Sequence, residues 1–115
     1  MLRRLGLAAC MAVMAGSAQA MICTFEAECF EQDGCMESGF GFEVMTSDEG
    51  ALQFVTEFGD LDLVWSSDDI GTFSGVATGA GAQYFLTSGP DGARLSVHLD
   101  GPVAVTYIGQ CEGGL

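Results

Sequence analysis

Residues 82–107, AQYFLTSGPDGARLSVHLDGPVAVTY, decide the fold class. Ala82, Tyr84 and Leu86 share one face, and Ser88-Gly89-Pro90-Asp91-Gly92 then turns the chain. Leu95, Val97 and Leu99 follow, alternating with Arg94, Ser96 and His98. Asp100-Gly101-Pro102 turns the chain again, into Val103, Val105 and Tyr107. A side-chain period of two is that of a half-buried strand, and connections this short join antiparallel neighbours. The stretch therefore predicts three strands in a meander.

Working upstream, the same period recurs. Leu61, Leu63 and Trp65 alternate with Asp60, Asp62 and Val64, which puts two acids on a wet face. Leu52, Phe54, Thr56 and Phe58 form another apolar series, and Phe40, Phe42 and Val44 alternate with Gly41 and Glu43. Glycines at 71, 75, 79 and 81 predict a bent strand and a flexible loop. No helix-length stripe of period 3.6, no repeat and no Pro/Ser-rich linker interrupts the pattern. The expectation is an all-β fold, a small antiparallel β-barrel or sandwich of about seven or eight short strands.

The N-terminus reads differently. Arg3 and Arg4 precede an almost wholly apolar run from Leu5 to Gly16, and Ala18-Gln19-Ala20 supplies a small-x-small cleavage pattern. That run falls short of the roughly 20 apolar residues a membrane span needs. Residues 1–20 are therefore expected to be a cleavable secretory signal peptide, and residues 21–115 a single all-β domain. Two other readings of this segment exist. Leu7-Ala8-Ala9-Cys10 matches the motif before an acylated lipoprotein cysteine, but cleavage there leaves an h-region of only a few residues. Arg3-Arg4 lacks the flanking pattern of twin-arginine export.

Cysteine parity agrees with cleavage after Ala20. Of five cysteines, Cys10 lies in the leader, which leaves Cys23, Cys29, Cys35 and Cys111. An even set in a short exported domain reads as two disulfides, with three pairings open. If Ile22 to Phe30 is extended, Cys23 and Cys29 lie about 20 Å apart, beyond the roughly 7 Å a bridge tolerates. Asp33-Gly34 can turn the chain and bring Cys29 opposite Cys35. Cys23 then pairs with Cys111 and ties the first strand to the last. The C-x5-C-x5-C spacing is no zinc knuckle, and no C-x-x-C redox motif is present.

Charge narrows the partners. The precursor carries 16 Asp/Glu against three Arg/Lys, a formal net charge of −13. After cleavage Arg94 alone opposes those 16 carboxylates, and there is no lysine. Nucleic acid is not expected as a partner, because phosphate binding rests on Lys and Arg. No stable membrane insertion is expected either, and an anionic membrane surface is disfavoured. A cationic protein or peptide suits the field best, while the oligomeric state is left open.

Chemistry-bearing candidates are few. His98, the single histidine, shares a strand face with Ser96 and Arg94, but no third orienting group marks a triad. Asp60, Asp62, Asp68 and Asp69 form an oxygen-rich set whose spacing fits no EF-hand loop. Met21, Met36 and Met45 lie near cysteines, which points to soft metals only if those thiols are reduced. No catalytic residue, cofactor or metal ligand is assigned, and a non-enzymatic binding or envelope role is expected.

Thr78-Gly79-Ala80-Gly81-Ala82-Gln83-Tyr84 resembles the Ser-Gly-Ala-Arg-Tyr loop of the bacterial C-type lysozyme inhibitors, through Gly81, Ala82 and Tyr84. Members of that family are small exported β-barrels with a disulfide reaching the C-terminal end. The resemblance implies a binding loop at Gly81, Ala82 and Tyr84, and a basic exported protein such as a lysozyme as the alternative partner. Ala80 and Gln83 stand where that loop has serine and arginine, and the family's inhibitory lysine has no counterpart.

Overall fold

The meander of residues 82–107 is present, and it is the closing third of a barrel. A computed structural model describes residues 20–101 and 103–113; the leader reading and Cys10 lie outside the described residues. The strands are β1 (Ala20–Phe30), β2 (Gly34–Glu37), β3 (Gly41–Thr46), β4 (Leu52–Thr56) and β5 (Gly59–Ser67). β6 (Phe73–Gly79), β7 (Ala82–Gly89), β8 (Gly92–Leu99) and β9 (Val103–Gly113) complete the set. From β3 to β9 each strand pairs antiparallel with the next, and β1 pairs with both β3 and β9. Eight strands thus close into a barrel rather than a sandwich. β2 is additional, folded back on the C-terminal half of β1.

An eight-stranded barrel is just wide enough for side chains to fill it. Phe25, Val44, Phe54, Leu86, Leu95 and Cys23 are fully buried inside. Closure also removes the unpaired edges that an open sheet of this size would expose. Phe58, expected to continue the inward series of β4, lies in the β4–β5 turn and is 70% exposed.

The first strand changes face partway along. Phe25 pairs with Gly109 of β9 and Ala27 with Ile108, so Glu26 is the extra residue of a β-bulge. Met21, Cys23 and Phe25 point inward before it. After it, Glu28 lies opposite Tyr107, whose side chain meets it. Gly109 permits this crossing. A Cβ there would collide with the Thr24 carbonyl and lie 2.6 Å from the Phe25 Cα.

The face change assigns the two disulfides to different environments. Cys23 sits opposite Cys111 in the β1–β9 ladder, and the two are bonded across 88 residues. Cys29 sits opposite Cys35 in the β1–β2 hairpin, bonded across six, with Cys35 exposed. Both pairings are those expected from the sequence.

The strand expected in the glycine-rich segment is present. Residues 73–79 are a regular strand, and Gly75 and Gly79 lie beneath the side chains of Leu63 and Leu61 from β5. Glycine here makes room for the larger partner across the sheet.

Candidate functional site

With the interior filled, function falls to the two rims and the outer wall. One rim carries the turns at 57–58, 80–81 and 100–101; the other carries those at 47–51, 68–72 and 90–91.

The loop singled out by resemblance lies on the first rim. Gly79 pairs with Ala82, which leaves Ala80 and Gly81 as a two-residue turn. Their φ angles, 54° and 77°, are both left-handed, the pattern of a type I′ hairpin. Gly81 stands at the tip and Ala82 is buried. Tyr84 is half-buried and turns inward, its ring meeting Phe54 edge-on at 6.3 Å. Of the three residues, Gly81 is the one exposed at the tip.

The ladder brings His98 to this turn. Gln83 pairs with His98 across β7–β8, and Thr78 pairs with Gln83 across β6–β7. With Asp100 they border an open hollow of about 290 Å³. Ser96 lies two residues from His98 along β8, and among the described residues no hydrogen bond joins their side chains.

A polar contact also joins β9 to β1, where Tyr107 lies opposite Glu28. Tyr107 packs against Phe40 at 4.8 Å between ring centres and donates a hydrogen bond to Glu28 Oε2 at 2.8 Å. Burial, then that bond, then the nearby carboxylate charge push the phenol up to about 12. A phenol held protonated so firmly supports structure and does not serve as a general base at neutral pH.

The aspartates separate. Asp62 Oδ1 accepts a hydrogen bond from the Gln53 side-chain amide at 2.9 Å. Asp68 Oδ1 accepts from the backbone N–H groups of Ile70 and Thr72, which closes the β5–β6 turn. Among the described residues no three His, Cys, Asp or Glu side chains converge as metal ligands. The three methionines also stay apart: Met21 is buried inside, whereas Met36 and Met45 are exposed on β2 and β3.

The second rim holds a site that the sequence reading did not single out. Met21, Leu52, Trp65 and Phe73 floor an open groove of about 450 Å³, edged by Thr46, Ser67, Asp68 and Thr72. Trp65 stacks on Phe73 with ring centres 5.8 Å apart and planes inclined by 20°. It nevertheless remains 49% exposed. In the sequence Trp65 follows the inward series of Leu61 and Leu63, so the pattern assigns it to the core. Only its position at the last turn of the barrel leaves the indole open.

No family model, curated protein or solved structure matches this chain. Two intramolecular disulfides fit an exported protein, and among the described residues no helix is long and apolar enough to cross a membrane.

Proposed function

We propose that this chain is an exported, non-enzymatic binding domain, periplasmic or extracellular, whose partner is a cationic protein or peptide. The observation that carries this reading is the placement of charge. Glu57 and Asp100 lie on one rim, and Asp48, Glu49, Asp68, Asp69 and Asp91 on the other, all exposed. Arg94 and His98 are the only basic side chains among the described residues. A surface of one sign steers oppositely charged partners and raises their encounter rate.

Two further features support a surface role. Among the described residues every buried side-chain nitrogen or oxygen has a hydrogen-bond partner, so no polar group waits inside for a ligand. The outward positions carry Glu43, Asp62, Gln83, Arg94 and His98 beside the apolar Val64, Val76 and Phe85. The resemblance at residues 78–84 favours a lysozyme-like enzyme as the basic partner. The closed barrel and the Cys23–Cys111 tie agree with what that resemblance implies for the fold.

The test is calorimetric titration of the oxidised protein with a c-type lysozyme, and with an acidic control protein of similar size. Salt is varied from about 0.01 M to about 1 M, over which the screening length falls from roughly 30 to 3 Å. Binding to lysozyme at low salt, weakened at high salt and lacking for the control, is expected. Absence of binding at low salt, or equal binding of the acidic control, overturns the reading.

A further inference from the structure

We propose that the Trp65 groove on the second rim is the recognition site for an arginine side chain of the cationic partner. This rests on the reading of the protein as a binder of cations, and it names the place and the chemistry.

The groove combines two elements that suit a guanidinium. Its floor is aromatic and apolar: Phe73 stacks against Trp65, and Leu52 and Met21 extend the surface. An arginine stem packs on such a floor, and its planar head stacks on an open indole more favourably than a compact ammonium does. Its edge is acidic. Asp68 lines the groove itself, with Asp69 beside it on the same turn. Asp48 and Glu49 precede Gly50, another lining residue, on the facing turn. Both Asp68 Oδ1 hydrogen bonds go to backbone amides, so its negative charge is not cancelled by a basic side chain in those contacts.

The apolar surface continues past the groove. Trp65 also borders a shallower hollow of about 210 Å³ with Val64, Val76 and Phe85. These three are register neighbours across β5, β6 and β7 and are 79%, 45% and 50% exposed. A half-open tryptophan between an acidic rim and an apolar wall has the composition of an interface anchor. An acidic or neutral partner would leave the carboxylates unpaired there, which is why an arginine-bearing one is specified.

Trp65 is the single tryptophan, so its emission reports this groove alone. The probes are a fluorophore-labelled tetra-arginine peptide and its tetra-citrulline counterpart, which keeps the shape without the charge. Peptide anisotropy measures binding, and Trp65 emission, read with the unlabelled peptides, measures location. At low salt the arginine peptide should bind and shift the tryptophan emission saturably, with the citrulline peptide inert in both. Trp65→Leu should weaken arginine-peptide binding about three- to thirty-fold. Asp68→Asn keeps an oxygen for the turn amides while removing the charge, so it should also weaken binding in a protein that folds normally. Binding that leaves Trp65 emission unmoved, and that both variants retain, overturns the groove while leaving the cationic-partner reading standing. No anisotropy change with the unaltered protein at low salt overturns both.

Discussion

Removing the Cys23–Cys111 bond should cost far more stability than removing Cys29–Cys35, and the difference follows from where each lies. The first closes a loop across 88 residues and the second across six. The loop-entropy relation gives about 4.6 kcal/mol for the long closure and about 2.2 for the short one. Burial widens the gap. Cys23 is fully buried, so truncating it leaves space inside the barrel, whereas Cys35 is exposed and its loss leaves none. Domains of this size have a net stability of about 5–15 kcal/mol, so the long bond is a large share of the whole. The comparison uses the double variants Cys23→Ala/Cys111→Ala and Cys29→Ala/Cys35→Ala, which leave neither disulfide with a single unpaired partner. Urea unfolding followed by circular dichroism, extrapolated linearly to water, measures each loss. The first variant should lose about 4–5 kcal/mol and unfold at a much lower midpoint; the second should lose about 2. Equal losses, or a greater loss for the second, would refute the argument, because they would mean that closure of β1 on β9 does not depend on the bond.

Three further outcomes follow from the geometry. Gly109→Ala forces a Cβ against the backbone of Thr24 and Phe25 and should cost about 2 kcal/mol or more; unchanged urea unfolding would show that the bulge yields. Ala80→Asn supplies the Asn-Gly pair that type I′ turns favour, at a site where alanine has φ 54°, and should raise stability by about 0.5–1 kcal/mol in the same assay. Tyr107 should ionise near pH 12, read by phenolate absorbance, and Glu28→Gln should lower that midpoint. The folded chain holds this proton after the unfolded chain has released its own near pH 10. The contribution to stability is therefore complete below about pH 10 and is lost as pH rises to about 12. A Tyr107 midpoint near 10 contradicts this.

How far the sequence discloses this molecule depends on whether a signal is local. Strand period and turn residues are local, so the meander of β7 to β9 and the inward series of β3, β4 and β5 are legible from residue order. Both disulfides were readable because strand rise limits which sulfurs can meet. Two features were not legible. Gly75 and Gly79 mark a strand in the sequence, but the cover that Leu63 and Leu61 give them belongs to a neighbouring strand. The Trp65 groove is hidden for a related reason. Alternation assigns the indole to the interior, and only the level at which the barrel ends shows that it emerges at the rim. The meeting of His98 with the turn at residues 80–81 likewise depends on register, which sequence patterning does not set between distant residues.

The position of the long disulfide joins stability to the proposed site. Met21 lines the Trp65 groove, and Cys23 lies two residues along the same strand on the same inward face. Cys23 is bonded to Cys111, while Met21 pairs with Gly113 at the end of β9. The bond therefore sits one inward position below Met21 and holds the start of β1 against the end of β9. Cys29–Cys35 lies at the opposite end of β1, beyond the bulge, where it secures β2. Rigid support near a binding surface limits the ordering that association must impose on it. The Cys23–Cys111 bond thus supports the β1 wall of the groove as well as the β1–β9 seam, and its reduction should loosen the second rim more directly than the first.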